Sequence, residues 1–342
     1  MAAGLALSAL AGCGERPVPR VRAPSTPVDE AVRSRRVHAG SLAVRWRVGT
    51  AGDTTFTFPL MLAADASGAY VFDAAQAVIA FDPLGRRRWS AGRRGGGPLE
   101  FRGARDLEIV PGGVAVFDPP NGRITVLNSD GSLRRTVPLA GVPTSQQFVP
   151  RSDGGFILVS DNEGTAPISF VDAAGAFEQS EAIPWPAYAL LPPLARQGTT
   201  ATEVDGKWIY GFRLGDGWFA ARDGLALGAR RFYAEGTPFP AVLQEVGSQG
   251  PVAEQLGRAV VSGMSLAVAD SEVFVLFGGT GEDAFRLVDV FDFSSGAYRH
   301  TWRLPEPVDA IVVHGQVLYA LTADPVSALI AFSFPTGPRS GL

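Results

Sequence analysis

From Leu42 onward, short apolar runs alternate with turns rich in glycine, aspartate and asparagine. Runs of that length, enriched in Val, Ile and Phe, predict strands; a helix needs a longer stretch with a period of about 3.6 residues to bury one face. Leu62-Ala-Ala-Asp-Ala-Ser-Gly-Ala-Tyr-Val-Phe-Asp73 and Leu107-Glu-Ile-Val-Pro-Gly-Gly-Val-Ala-Val-Phe-Asp118 share one layout: strand, glycine turn, second strand, terminal aspartate. Each continues into a third apolar strand, a turn at Gly85 or Gly131, and a fourth strand. The two units start 45 residues apart, a period expected of four-stranded propeller blades.

Four further units follow with decaying fidelity. Blade three runs through 146–149, 156–159 and 168–171, and blade four is clearest at 207–210 and 218–221. Blade five runs through 265–268, 273–276 and 287–291, and blade six through 310–313, 317–320 and 329–332. Blade six is one strand short, while 42–48 is a strand ahead of blade one with no blade of its own. Pairing the two closes the ring and removes an open sheet edge. The prediction is an all-β, six-bladed propeller with four-stranded blades, its last blade closed by the N-terminal strand; a seven-bladed ring is the competitor.

Composition narrows the function classes. Hydrophobic residues make up 46% of the 342, enough for one large β-domain to bury most of its surface. Thirty basic against 34 acidic residues give a net charge of −4, without the concentrated positive field of a nucleic-acid surface. With Cys13 as the only cysteine, neither an intramolecular disulfide nor a thiolate metal site forms.

Residues 1–13 supply a role for that cysteine. A short apolar run ends in Leu10-Ala-Gly-Cys13, small residues leading into the thiol as at the end of a secretory signal. The segment resembles the lipobox of bacterial lipoproteins, which implies that Cys13 is acylated and becomes the mature N-terminus. No Lys or Arg precedes the apolar run, so the true start is expected elsewhere. Gly14, in place of a retention aspartate, implies the outer membrane. Residues 14–41 carry prolines and arginines with no apolar period, and read as a disordered, solvated tether that includes Arg35, Arg36 and His38. The propeller is expected over 42–334, with 335–342 as a tail.

Over residues 42–334 the chain resembles the bacterial six-bladed β-propeller lipoproteins related to NHL-repeat proteins. The most specific piece is Gly92-Arg-Arg-Gly-Gly-Gly-Pro-Leu-Glu-Phe101, similar to the family's G-x-x-G-x-G-P-G-E-F segment, with Leu99 where glycine is usual. The resemblance implies a lipid-anchored propeller facing the periplasm or the cell surface. It carries over no catalytic residue.

The residues themselves offer little chemistry. The triple glycine 95–97 leads into another strand instead of a helix, so it is a crossover and not a phosphate cradle. No G-x-S-x-G occurs, and His300 and His314 read as ordinary surface positions. Asp73, Asp118 and Asp161 each precede a tight turn, where the carboxylate accepts backbone N–H bonds without any ligand. Asp106, Gln146 and Asp309 fall near the starts of inner strands, facing the central channel. A metal-assisted hydrolase or lactonase, with calcium as its metal, would use these three.

Loops carry more weight. The connections 184–193 and 237–263 exceed ordinary loop lengths, and 252–260 reads as a short helix. By propeller topology these loops, the Gly-rich crossover and the turn 278–283 emerge on one face. The leading reading is therefore a non-catalytic binding or scaffold lipoprotein, a monomeric propeller without cofactor. It would recognise a protein, peptide or glycan through Arg93, Arg94, Glu100, Trp185, Tyr188, Phe239 and Asp283. The competing expectation is that Trp185 and Tyr188 pack over the channel mouth as a plug.

Overall fold

The computed structural model describes residues 35–38, 42–139, 145–160, 166–191, 193–203, 205–222, 227–235, 237, 241–247, 250–256 and 260–335. The lipobox at Cys13, Asp161, Phe239 and the 336–342 tail lie outside them.

Six antiparallel sheets follow one another around a central channel. Blade one is Pro59–Asp65, Gly68–Asp73, Ala77–Phe81 and Arg87–Ala91; blade two is Asp106–Val110, Gly113–Asp118, Arg123–Asn128 and Leu133–Pro138. Blade three is Gln147–Pro150, Phe156–Val159, Ile168–Val171 and Phe177–Glu181. Blade four shows Gly198–Thr202, Lys207–Phe212 and Trp218–Arg222, with Arg231 bridging Trp218 where a fourth strand would lie. Blade five is Ser265–Ala269, Glu272–Phe277, Leu287–Asp292 and Tyr298–Arg303. Blade six is Ala310–His314, Val317–Thr322 and Ala328–Ser333, completed by Ala43–Val48 at its outer edge. Ala43 faces Ser333 and Val48 faces Leu329, so the N-terminal strand closes the ring in the place the sequence predicts.

The core is a ring. Each hydrophobic cluster draws on two neighbouring blades, and alternate residues of one strand serve opposite neighbours. In blade one, Tyr70, Phe72, Val78 and Ala80 pack towards blade two, whereas Ala69, Val71, Ile79 and Phe81 pack towards blade six. Strands two and three are thus buried on both faces, which is why they read as unbroken apolar runs. Outer strands face solvent, as the mostly exposed Phe177–Glu181 shows.

Polar docks fasten neighbouring blades at their outer edges. Trp46 donates Nε1–H to Pro83 O of blade one at 2.9 Å, and Trp89 of blade one donates to Ser129 O of blade two at 2.8 Å. Each indole lies where a turn glycine lacks a side chain: a Cβ on Gly131, whose φ is +85°, would stand 2.8 Å from the Trp89 ring. Arginines take the same part elsewhere. Arg135 reaches Ala173 O and Gly154 O of blade three, and Arg231 reaches Phe293 O and Ser294 O of blade five.

Three expectations are corrected. The stretch 252–260 is no helix: Gly250–Leu256 pairs with Ala241–Gly247 as a hairpin, so cross-strand pairing overrides the local helical preference of Ala-Glu-Gln-Leu. Residues 35–38 are no free tether either. Val37 bridges Thr301 in parallel, adding this arm to the outer strand of blade five. Arg35 donates Nε–H to Asp289 Oδ1 at 2.9 Å and Nη2–H to Oδ2 at 3.0 Å, lies 4.0 Å over the Phe277 ring, and also pairs with Glu235. His38 stacks on Trp302 at 4.0 Å and helps cover His300. His300 is therefore not an ordinary surface histidine. Burial, then nearby His38, Arg299 and Arg36, holds its imidazole down at about 4.

Candidate functional site

Inner strands begin, and second strands end, on the face where crossovers run from one blade to the next. Two buried aspartates fix this face. Asp73 Oδ2 accepts the Thr57 and Phe58 N–H groups at 3.0 and 2.9 Å, while Oδ1 accepts that of Ala75. Asp118 accepts the Arg102 and Gly103 N–H groups at 3.0 and 3.2 Å and the Asn121 side chain at 2.7 Å. Each carboxylate ties its own turn and the approaching crossover to the end of a buried strand.

The Gly-rich crossover is tied down as well. Arg93–Arg94 runs parallel to Glu100–Phe101 as a two-residue sheet, and Phe101 is buried edge-on against Phe72. Gly92, with φ +108°, is needed because a Cβ there would stand 2.6 Å from the Phe101 ring. Leu99 takes the left-handed φ of +53° itself, so the turn is made without the glycine usual at that position. Glu100 accepts the Gly97 N–H at 2.7 Å and Arg93 Nε–H at 2.8 Å, which hold its carboxyl below the usual range. Arg123 caps Gly97 O and Glu100 O at 2.6 and 2.7 Å, and Asn121 reaches Gly95 O at 3.0 Å. Arg93 and Arg94 stand exposed on this braced loop.

The aromatic insertion behaves differently. Residues 186–196 carry two short 3₁₀ turns, and Tyr188 is only 2% exposed, packed beside Phe212 under the Arg196 guanidinium. Trp185 is half-buried, edge-on to Phe212, with Arg230 4.2 Å over its ring. The Tyr188 ring is not offered to solvent; both aromatics fill the junction of blades three and four. Asp283 is half-exposed and pairs with Arg303 at 3.0 Å.

The channel forms a cavity of about 560 Å³ lined by inner strands of all six blades. Asp106 and Asp309 line it, but in blade three Gln147 does so in place of Gln146, a one-residue offset in the sequence reading. These polar groups stitch blades together. Asp106 accepts Phe148 N–H of blade three at 3.0 Å, Gln147 donates to Gly198 O of blade four at 3.0 Å, and Ser265 accepts Ile311 N–H of blade six at 3.0 Å. Asp309 instead accepts Ala323 N–H within its own blade at 2.7 Å. Among the described residues, no three His, Cys, Asp or Glu side chains are grouped to hold a metal.

Glu108 is among the channel residues that escaped the sequence reading. It follows Asp106 by two residues on the same strand, the spacing that returns a side chain to the same face. Burial, reinforced by Asp106, pushes its carboxyl well above the usual range. Burial likewise lifts Asp106 to about 7 against its two backbone donors.

The described residues contain no helix long and apolar enough to cross a membrane. Residues 34–184 match the family model described as outer membrane protein assembly factor BamB. No curated protein matches the sequence. Among solved structures, BamB from Moraxella catarrhalis is similar at 14% identity over 92% of this chain and 98% of that chain, with a TM-score of 0.42. Virginiamycin B lyase from Staphylococcus aureus is similar at 10% identity over 84% of this chain and 98% of that one, with a TM-score of 0.49. A member of the duf4221 family from Bacteroides vulgatus is similar at 10% identity over 86% and 98%, with a TM-score of 0.51. At these identities the likeness is one of fold, and the family match runs from the docked arm through blade three.

Proposed function

We propose that the chain is a non-catalytic binding scaffold: a single propeller anchored at the outer membrane through acylated Cys13, recognising a protein with its crossover face. The observation that carries the reading is the braced Gly-rich crossover, whose buried Phe101 and capped carbonyls hold Arg93 and Arg94 out in solvent. A loop fixed by its scaffold loses little entropy on binding, and exposed arginines are among the residues that dominate interface energies. The BamB family match over 34–184 supports a partner within outer-membrane assembly.

Capture from detergent-solubilised outer membranes of the native host tests this. The Arg93→Ala/Arg94→Ala variant should lose the partner while melting like the wild type; undiminished capture overturns the reading. Trp185→Ala should instead lower the melting temperature. For the anchor, Cys13→Ser should move the protein from the membrane pellet to the soluble fraction; continued sedimentation contradicts acylation.

A further inference from the structure

The crossover 92–105 carries four arginines against one glutamate. Glu100 is engaged by Arg93. Among the described residues, Arg94, Arg102 and Arg105 have no carboxylate within ion-pair distance, and all three are exposed. Their order along the chain is also an order in space. The crossover leaves the outer strand Arg87–Ala91 and enters the inner strand Asp106–Val110. It therefore spans the radius of a blade, three strand spacings or about 14 Å. Arg94 stands at its outer end, Arg102 lies over Gly96, and Arg105 opens onto the channel. Arg213 of blade four lines the same cavity, its guanidinium 3.7 Å from Met264 Sδ and, among the described residues, in no ion pair. Phe58 and Leu60, 46% and 44% exposed, flank the start of the inner strand of blade one.

We infer that the partner presents an acidic, extended segment, laid inward along Arg94, Arg102 and Arg105 and ending at the channel mouth beside Arg213. This rests on the binding reading above and names the chemistry of the partner. A radial line of about 14 Å matches roughly four extended residues. A helix would rise only about 6 Å over the same four residues. The line descends into a channel mouth, which a flat membrane surface cannot follow. Phe58 and Leu60 give one apolar side chain of the segment a place to land. Deeper in the channel, Asp106 and Glu108 follow the arginines on the same wall and offer a carboxylate no cation, so the segment stops at the mouth.

The test uses the full chain and a fluorescein-labelled Glu-Glu-Phe-Glu-Glu peptide, followed by anisotropy at low and at physiological salt. The peptide should bind, weaken as salt rises, and bind about tenfold more weakly to the Arg94→Gln/Arg102→Gln/Arg105→Gln variant. Arg86→Gln, on the opposite face, should bind like the wild type. No peptide binding, or equal binding by the triple variant, overturns the inference. So does arginine-dependent sedimentation with anionic phosphatidylglycerol vesicles in the absence of peptide binding, since that assigns the arc to lipid. Outer-membrane capture separates the two readings: capture retained without peptide binding sinks the acidic segment alone, and loss of both sinks the scaffold reading too.

Discussion

Replacing Arg35 by methionine should destabilise the propeller by up to about 4 kcal/mol at pH 7. The Asp289 side chain is 1% exposed and receives two Arg35 N–H groups and the Thr301 hydroxyl, the last at 2.6 Å. Taking away the arginine leaves a buried carboxylate with one donor, a change that typically costs about 3–5 kcal/mol. Escape by protonation caps that cost. Burial already raises the Asp289 carboxyl, and Arg35 is the main group that holds it down. Without Arg35 the folded state keeps a proton that the unfolded state releases above about pH 4. Holding it costs about 1.4 kcal/mol per pH unit, hence at most about 4 kcal/mol at pH 7, less the part that the already raised wild-type carboxyl carries, and far less at pH 5. For a chain of this size that is a melting shift of at most roughly 6 °C at pH 7, shrinking on acidification. Thermal melts at pH 5 and pH 8 should show the gap, and Arg35→Met/Asp289→Met should recover most of it, because removing both charges leaves none stranded. A chain beginning at Arg35 should melt above one beginning at Leu42. Equal melting of those two chains, or of Arg35→Met and wild type at pH 8, would refute docking of the arm.

Other substitutions probe the ring. Beginning the chain at Gly49 removes Ala43–Val48 and bares the Ala328–Ser333 edge, so light scattering should report aggregation; an unchanged monomer would contradict closure. Trp89→Ala removes the indole bond to Ser129 O and its packing on Gly131, and should cost about 2–3 kcal/mol by denaturant unfolding; a loss within error would discount the docks. Glu108→Gln should stabilise the fold increasingly from pH 5 to pH 8. The raised wild-type carboxyl holds a proton that the unfolded chain gives up, a penalty the amide does not carry, and parallel pH profiles would dismiss it.

The ring was legible because its signal is local and repeated. Strands such as Gly68–Asp73 and Gly113–Asp118 are buried on both faces, so their apolar runs do not depend on which neighbour covers them. The arm was illegible for the opposite reason. Its signal is one arginine meeting one aspartate 254 positions away, and nothing around Arg35 marks it as inward-facing. Gln146 and Gln147 show a finer limit: adjacent strand residues face opposite ways, and two consecutive glutamines leave the register undecided until the sheet is built.

The same division runs through the candidate site. Arg93, Arg94 and Glu100 were placed by a motif whose glycines and proline dictate the turn, and the structure keeps them on one loop, with Arg93 and the Gly97 N–H on the Glu100 carboxylate. Trp185 and Tyr188 were drawn by their loop, but a long loop beside a blade junction can bury its aromatics as readily as display them, and Arg196 and Arg230 cover both rings. Arg102, Arg105 and Arg213 carry no motif at all. What gives the first two a direction is topology, since a crossover from an outer to an inner strand must run radially across the face. Arg213, more than a hundred residues later, lines the same cavity as Arg105 because the second strand of blade four, Lys207–Phe212, ends on the crossover face. The charge line is thus a product of ring closure, and breaking closure at Ala43–Val48 should disturb it without touching any of its arginines.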